Sequence, residues 1–135
     1  MIVFKIKEGL EGYNMTRDFR KEYLDTFSKD SKDSIAYHVA GFEGEKIICT
    51  GRMYIKDERT CVVDNLAVDD ENRKVYVGDT VLKIFEDRAV SFMRSFIEVT
   101  PTESSREFFA HEGYVGDEVM KKDLTKVRGC RGCKK

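Results

Sequence analysis

The chain has 135 residues, of which 41% are hydrophobic, so length and composition fit one ordinary domain with its own core. Its 24 Lys and Arg residues nearly balance 25 Asp and Glu residues, which argues against a general nucleic-acid-binding protein. The N-terminus lacks the pattern of a signal peptide, and no apolar stretch approaches the roughly 20 residues that span a bilayer. We therefore expect a soluble, cytoplasmic protein with neither a nucleic-acid nor a membrane partner.

The first 34 residues predict a strand and a helix. Apolar residues alternate with polar ones at Ile2, Phe4 and Ile6, which indicates a strand with one buried face. Gly9 and Gly12 then indicate a loop, and Asn14 is a candidate helix N-cap. Apolar residues follow at every fourth position, at Met15, Phe19, Tyr23 and Phe27. This spacing predicts an amphipathic helix that ends in the polar run SKDSKDS.

Three consecutive strands are predicted next. Residues 35–42 and 47–54 are β-like and are joined around Gly44, so they predict a hairpin, in which His38 is expected to be half-buried. The polar turn KDER then leads into a third strand over residues 61–68. Such consecutive strands favour an antiparallel meander.

The second half of the chain alternates between helix and strand patterns. Leu82, Phe85, Ala89 and Phe92 share a helical stripe after Gly78, and a short strand follows at residues 96–99. Ser104 and Glu107 suggest a capping box for a last short helix, which Gly113 would end. Residues 114–124 predict a final strand pair or one bent strand. The order predicts a mixed α/β (α+β) fold with a mostly antiparallel central sheet flanked by helices. We expect one domain over residues 1–125 and a flexible basic tail over residues 126–135.

The stretch LAVDDENRKVYVGDTVL, residues 66–82, carries the strongest functional signal. It predicts a strand, a charged loop and a helix N-terminus, where unpaired N–H groups and the helix dipole favour an anion such as a phosphate. The stretch resembles the acyl-CoA-binding motif of the GNAT superfamily of N-acetyltransferases, R-x-x-G-x-G or R-x-x-G-x-A. Arg73 and Gly78 fit that motif, and Tyr76 stands where its first glycine is expected. Downstream, REFFAHEGY resembles the F-Y-x-K-x-G-F signature of the same family at Phe108, Phe109, Gly113 and Tyr114.

This resemblance implies a GNAT-like fold and an acetyl-CoA-dependent N-acetyltransferase, with an amine of a small molecule or a protein as acceptor. The strand backbone at Leu66, Ala67 and Val68 would hold the pantetheine arm, and the backbone at Leu66 and Val68 would polarise the acetyl carbonyl. The loop and helix start would bind the pyrophosphate. The implied acyl-CoA-binding residues are Leu66, Ala67, Val68, Arg73, Lys74, Val75, Tyr76, Val77, Gly78, Asp79, Thr80 and Phe109.

Acetyl transfer to an amine also needs groups that handle protons. Many members of the family place a proton-donating tyrosine where this chain has Phe109, and Tyr114 replaces the family's phenylalanine and is expected in the core. Histidine is the side-chain type that exchanges protons near neutral pH, so His111 is either a catalytic acid or base or an exposed spectator. Asp64 shares strand parity with Leu66, so it is either a general base on the acceptor side or a hydrogen-bonded strand residue.

Two alternatives compete with the enzyme. The combination of Tyr76 and Phe109 favours a non-catalytic module that binds CoA or another ligand on the same fold. The C-x-x-C pair Cys130 and Cys133 suggests a metal or redox role, but it lacks a second ligand pair, and we expect no metal site. Members of the family are often dimers, so a homodimer is one expected oligomeric state. From their positions alone, the candidates for lining the acceptor pocket are Tyr13, Arg17, Tyr37 and Arg52.

Overall fold

The computed structural model of the protein describes residues 1–24, 27–73 and 76–125. Among these residues, seven strands form one sheet in the order β1-β2-β3-β4-β5-β7-β6, accompanied by three α-helices. The elements in chain order are β1 (Ile2–Glu8), α1 (Gly9–Tyr23), β2 (Tyr37–Glu43), β3 (Lys46–Ile55), β4 (Thr60–Val68), α2 (Val77–Ser91), β5 (Phe96–Val99), α3 (Arg106–His111), β6 (Val115–Gly116) and β7 (Met120–Asp123). The predicted fold class, a mixed α/β fold with a mostly antiparallel sheet, is confirmed.

The chain divides into two compact units. The first unit is Met1–Tyr54 with Val63–Ile84, and the second is Ile55–Val62 with Phe85–Lys135. Strand β4 therefore contributes its first part to the second unit and its last part to the first. The expectation of one domain over residues 1–125 stays a prediction, and the basic tail with Cys130 and Cys133 lies outside the described residues.

The first unit is built on three antiparallel strands. β1 pairs with β2 from Ile2↔Glu43 to Glu8↔Tyr37, and β2 pairs with β3. The hairpin turn contains Gly44 at a φ of +65°, as expected for a two-residue connection. The apolar core of these strands is fully buried at Val39, Ala40, Ile48, Cys49 and Met53.

Helix α1 begins earlier than its sequence pattern predicted. Gly9 and Gly12, expected in a loop, both lie in the helix, and Asn14 is not its N-cap. Gly9 has a φ of +65°, which lets the chain turn from strand into helix directly, and its N–H donates to the carbonyl of Ala36 at 2.8 Å. The helix ends at Tyr23, so Phe27 does not belong to it.

The second unit contains a parallel strand pair. β4 pairs with β5 from Thr60↔Phe96 to Val62↔Glu98, and β5 and β6 each pair antiparallel with β7. A parallel pair requires a crossover connection, which α2 supplies between β4 and β5. Of the two alternatives predicted for residues 114–124, the structure shows the strand pair, β6 with β7, and not a single bent strand.

The predicted capping box of α3 is wrong. The N-cap is Ser105, whose side chain makes no capping hydrogen bond to the helix. Its hydroxyl instead accepts a hydrogen bond from the backbone N–H of Thr102 at 2.9 Å. A capping box does form earlier in the chain, where Asp30 and Asp33 close a 3₁₀ turn over Ser31–Ser34.

Within the described ranges, no helix combines the length and the apolar character that crossing a membrane requires. The same residues hold no group of three or more His, Cys, Asp or Glu side chains that could bind a metal ion.

Candidate functional site

The end of β4 is open to solvent. Cys61 and Val63 are buried, whereas every residue from Asp64 to Val68 is half-buried, including three apolar side chains in a row. The pairing with β5 spans Thr60–Val62, and β4 continues for six residues beyond it. Strand residues beyond the end of a ladder can offer backbone N–H and C=O groups to a ligand. The sequence predicted such backbone binding at Leu66, Ala67 and Val68.

Asn65 interrupts the regular geometry of β4. Its φ of +53° is unusual for a residue other than glycine, and asparagine is among the few types that tolerate it. The Asn65 side chain donates to Asp64 Oδ1 at 2.9 Å. A residue of this kind within a strand is typical of a bulge, which re-aims the neighbouring side chains. The alternation that predicted a shared face for Asp64 and Leu66 is therefore interrupted between them.

The loop after β4 is fixed by Asp69. Its N–H donates to the carbonyl of Ile48 at 2.9 Å, which ties the loop to β3. Its buried carboxylate accepts hydrogen bonds from the backbone N–H of Asn72 at 3.0 Å and from the Asn72 side chain at 2.6 Å. These contacts close a 3₁₀ turn over Asp70–Asn72 and lead the chain to Arg73.

Helix α2 then begins at Val77, and its first turn includes Gly78 and Asp79. The first N–H groups of a helix have no partner within the helix, so this end suits an anion. Tyr76 is 80% exposed, so its ring lies in solvent and does not fill the space over the helix end. Thr80 donates through both its N–H and its hydroxyl to the carbonyl of Tyr76. Arg73 is exposed and forms an ion pair with Asp70, with 3.3 Å between Arg73 Nε and Asp70 Oδ1.

The other predicted residues lie at the start of α2, outside the described residues, or in the second unit. Asp79 forms an ion pair with Lys83 at 3.0 Å, next to the helix end. Lys74 and Val75 lie outside the described residues. Apart from these two, the predicted residues between Asp64 and Thr80 all belong to the first unit, whereas Phe109 and His111 belong to the second.

Phe109 and His111 have very different surroundings. Phe109 is buried and packs edge-to-face on Phe108 and Tyr114, with ring centroids 5.1 and 5.6 Å apart. The His111 side chain is 85% exposed. Tyr114 is buried, as predicted, and its hydroxyl donates to Glu86 at 2.9 Å. Burial, together with the Glu86 carboxylate, raises the pKa of Tyr114 far above its ordinary value, so its hydroxyl stays protonated.

A buried guanidinium organises the other predicted residue, Asp64. Arg52 donates from Nε and Nη2 to the two oxygens of Asp64, at 2.8 and 2.7 Å. It also donates to both oxygens of Asp30, at 2.8 and 3.3 Å, and to Asp33 at 3.0 Å. These five hydrogen bonds match the five N–H donors of a guanidinium. With Arg20, which donates to Asp33 at 2.9 Å, these residues form the Arg52 cluster: Arg20, Asp30, Asp33, Arg52 and Asp64.

The Arg52 cluster keeps its charges in place through mutual pairing. Burial alone would raise the pKa of Asp33, but hydrogen bonds from the Asp30 N–H, Arg20 and Arg52 outweigh it and hold that pKa below its ordinary value. The hydrogen bond from Arg52 likewise lowers the pKa of Asp30. Burial would lower the pKa of Arg52, yet hydrogen bonds to Asp64 and Asp30 raise it above its usual value. These shifts favour the charged forms of Asp30, Asp33 and Arg52.

His38 lies against this cluster and is fully buried, rather than half-buried as expected. Its Nε2 donates to the carbonyl of Asp33 at 3.1 Å. Burial lowers the pKa of His38, and the nearby Arg20 and Arg52 charges add to the effect. These surroundings therefore favour the neutral imidazole in the folded protein.

This burial predicts an acid-labile fold. In the unfolded chain His38 takes up a proton below about pH 6.5, while the folded protein resists that uptake. The free energy of unfolding should therefore fall as the pH drops from 7.5 to 5.5, by at most about 1.4 kcal/mol per pH unit from this group. Urea unfolding at several pH values measures the slope. His38→Gln should flatten it and the exposed control His111→Gln should not; an unchanged slope in His38→Gln contradicts the assignment.

Sequence reasoning missed most of the Arg52 cluster. Asp30 and Asp33 lie in the run SKDSKDS, whose polarity indicated a helix end, yet Asp33 is fully buried. Arg52 was predicted only as a possible pocket residue. An available signal was its place in the otherwise apolar strand IICTGRMYI, because a buried strand tolerates an arginine only when acidic partners meet it.

No protein-family model matches the sequence, and no curated protein matches it significantly. Solved structures do match. An acyl-CoA N-acyltransferase from Pseudomonas aeruginosa is 11% identical with a TM-score of 0.78, covering 90% of this chain and 99% of that one. ElaA from Escherichia coli is 14% identical with a TM-score of 0.75, covering 91% and 100%. N-acetylglutamate synthase from Neisseria gonorrhoeae, crystallised with coenzyme A and L-arginine, is 12% identical with a TM-score of 0.70, covering 91% of this chain and 33% of that one.

At these identities the likeness establishes the fold. The chain has the acyl-CoA N-acyltransferase fold of the GNAT N-acetyltransferases, as the two sequence motifs predicted.

Proposed function

We propose that this protein is an acetyl-CoA-dependent N-acetyltransferase that acetylates an amine of a small molecule or a protein. The observation that carries the proposal is the strand–loop–helix from Leu66 to Leu82, on a fold shared with acyl-CoA N-acyltransferases. The half-buried apolar end of β4 suits a pantetheine arm, and the start of α2 suits a pyrophosphate.

The residues present fit an acyl-CoA in three respects. The exposed Tyr76 ring leaves the helix end accessible, although it replaces the glycine of the motif. Arg73 precedes α2 by four residues in the sequence, and its exposed guanidinium, paired with Asp70, is the cation that the motif assigns to phosphate. Asn65, at positive φ, gives β4 an irregular backbone, as a bulge would. Asp79 opposes a phosphate in charge, but Lys83 compensates it.

In this function acetyl-CoA supplies an activated thioester. The backbone of Leu66, Ala67 and Val68 binds the acyl arm, and an N–H at Leu66 or Val68 hydrogen-bonds to the carbonyl oxygen as negative charge develops there. Val77, Gly78 and Asp79 open the helix and would position the phosphates there, whereas Thr80 uses both its N–H and its hydroxyl on the carbonyl of Tyr76. Phe109 packs in the core and offers no proton, and the exposed His111 remains a predicted acid or base.

Binding of acetyl-CoA is the first test of this function. Calorimetric titration and thermal shift with acetyl-CoA should show saturable binding, and no binding at millimolar ligand would defeat the proposal. Arg73→Glu should weaken the affinity by about 10- to 100-fold, because a charged hydrogen bond to phosphate contributes about 1.5–3 kcal/mol.

Lys21→Glu is the matched control for that variant. It makes the same change of charge on an exposed face of α1 and should alter the affinity less than about twofold. Equal weakening by both variants would mean that net charge, rather than Arg73, governs binding.

A second candidate function is a non-catalytic module that binds CoA. Specific observations favour it: Phe109 has no hydroxyl, and both oxygens of Asp64 are engaged by Arg52. Release of CoA thiol with a panel of amines separates the two functions, since sustained turnover excludes a module.

A cytoplasmic location and a homodimer stay predictions.

A further inference from the structure

Asp64 is the carboxylate that lies nearest along β4 to the proposed acyl site. It precedes Leu66 by two residues, so the Cα atoms of Asp64 and Leu66 lie at most about 7 Å apart. Its side chain is 36% exposed, so a ligand can reach it, and Asn65 and Arg52 hold its two oxygens in place. The sequence alone leaves Asp64 open as a general base or a hydrogen-bonded strand residue.

Arg52 joins Asp64 to a second part of the chain. Its other hydrogen bonds hold Asp30 and Asp33, which lie in the segment between α1 and β2. Side-chain exposure is 4% for Arg52 and 0% for Asp33, against 48% for Asp30. The guanidinium is therefore hidden, and the carboxylates that it fixes, Asp30 and Asp64, reach the surface.

Bidentate pairing changes what Asp64 can do chemically. Asp64 Oδ1 accepts hydrogen bonds from Arg52 and Asn65, and Oδ2 accepts one from Arg52. Of the roughly four lone-pair sites of a carboxylate, the one left on Oδ2 suits one further hydrogen bond to a ligand. We propose that Arg52 is a positioning residue that acts through Asp64: it holds the Asp64 carboxylate oriented toward solvent, so that Asp64 hydrogen-bonds to and orients the acceptor amine. This inference rests on the proposed acetyltransferase function and assigns its acceptor as an amine that binds in its cationic form.

Acetyl transfer makes one bond, breaks one bond and releases two protons from the acceptor. The amine nitrogen forms a bond to the acetyl carbonyl carbon, the carbon–sulfur bond of the thioester breaks, and the sulfur leaves with the electron pair. The ammonium form of the acceptor loses two protons in becoming an amide. One proton goes to the departing thiolate and the other goes to solvent, and Asp64 takes neither.

Steady-state thiol release tests this role. The assay uses acetyl-CoA with n-butylamine, spermidine, L-lysine and a tripeptide with a free amino terminus, on wild type, Asp64→Asn, Arg52→Lys and the double variant. Either single change should raise the acceptor KM about tenfold and change kcat less than about fivefold. The reason is that the charged hydrogen bond between Asp64 and the acceptor already forms in the substrate complex, before the chemical step. The double variant should be no worse than Asp64→Asn, since Arg52 acts through Asp64. The acetyl-CoA affinity should change less than about twofold.

Other outcomes overturn the inference in distinguishable ways. A kcat loss of about 10²–10⁴ in Asp64→Asn with unchanged KM would make Asp64 the base. Additive losses in the double variant would make Arg52 merely structural. Exposed Asp117→Asn is the matched control and should change nothing. If Arg52→Lys does not fold, the split between KM and kcat in Asp64→Asn still decides.

The proposed function fails separately. Absence of acetyl-CoA binding by the wild type defeats that function and this inference together. Binding without turnover of any of the four amines supports the non-catalytic module and overturns the inference. Turnover with unaltered acceptor kinetics in Asp64→Asn overturns the inference alone.

Discussion

Replacing Arg52 with methionine is expected to destabilise the protein by about 3–5 kcal/mol, a large share of the stability of an ordinary domain. Methionine resembles the arginine stem in volume, so packing changes little. The loss comes from Asp33, which is fully buried and keeps one guanidinium partner instead of two, and from Asp30 and Asp64, which lose bidentate pairing. Urea unfolding at pH 7 measures the effect.

The pH dependence of the stability difference between wild type and Arg52→Met tests the same argument. Asp30 and Asp33 have lowered pKa values in the folded protein, so their stabilising contribution is present above the ordinary value of 3.8 and is lost as pH falls through the folded values. The difference between wild type and Arg52→Met should therefore shrink below about pH 4. Arg17→Met, which removes an exposed pair with Asp18, should cost less than about 1 kcal/mol. Equal losses in both variants would contradict the buried-cluster argument.

Much of the fold could be predicted because it follows local periodicity. The stripe at Leu82, Phe85 and Ala89 is fully buried in α2, and the strand at Phe96–Val99 is where its apolar run indicated. The start of α1 could not be predicted this way, because Gly9 at positive φ acts as a helix start while glycine usually signals a loop.

The candidate site was predictable only where it depends on sequence order. The strand, loop and helix between Leu66 and Leu82 are consecutive in the chain, so one motif located them. The Arg52 cluster joins residues separated by up to 44 positions, from Arg20 to Asp64, which no local pattern reveals. The positive φ of Asn65 also depends on tertiary context, and it undid the parity argument for Asp64.

Replacing Gly12 with alanine is expected to destabilise the protein by about 3 kcal/mol, although alanine is the best helix former. A Cβ at this buried position of α1 would overlap the carbonyl oxygen of Lys7 and would lie 2.6 Å from Cδ2 of His38. Neither neighbour can withdraw, because Lys7 belongs to the β1 backbone and the His38 ring is fully buried. Overpacking must therefore move α1 away from β1 and β2, at a cost that exceeds the helix-propensity gain of about 1 kcal/mol.

Asn14→Ala separates these two effects on the same helix. Asn14 is exposed in α1, so alanine there gains helix propensity without a clash. This change should stabilise the protein by at most about 0.5 kcal/mol. Opposite signs for Gly12→Ala and Asn14→Ala in urea unfolding are the expected result. A stabilised Gly12→Ala would mean that α1 packs less closely on His38 than the structure indicates, and the surroundings of His38 and its pH-dependent contribution would need revision as well.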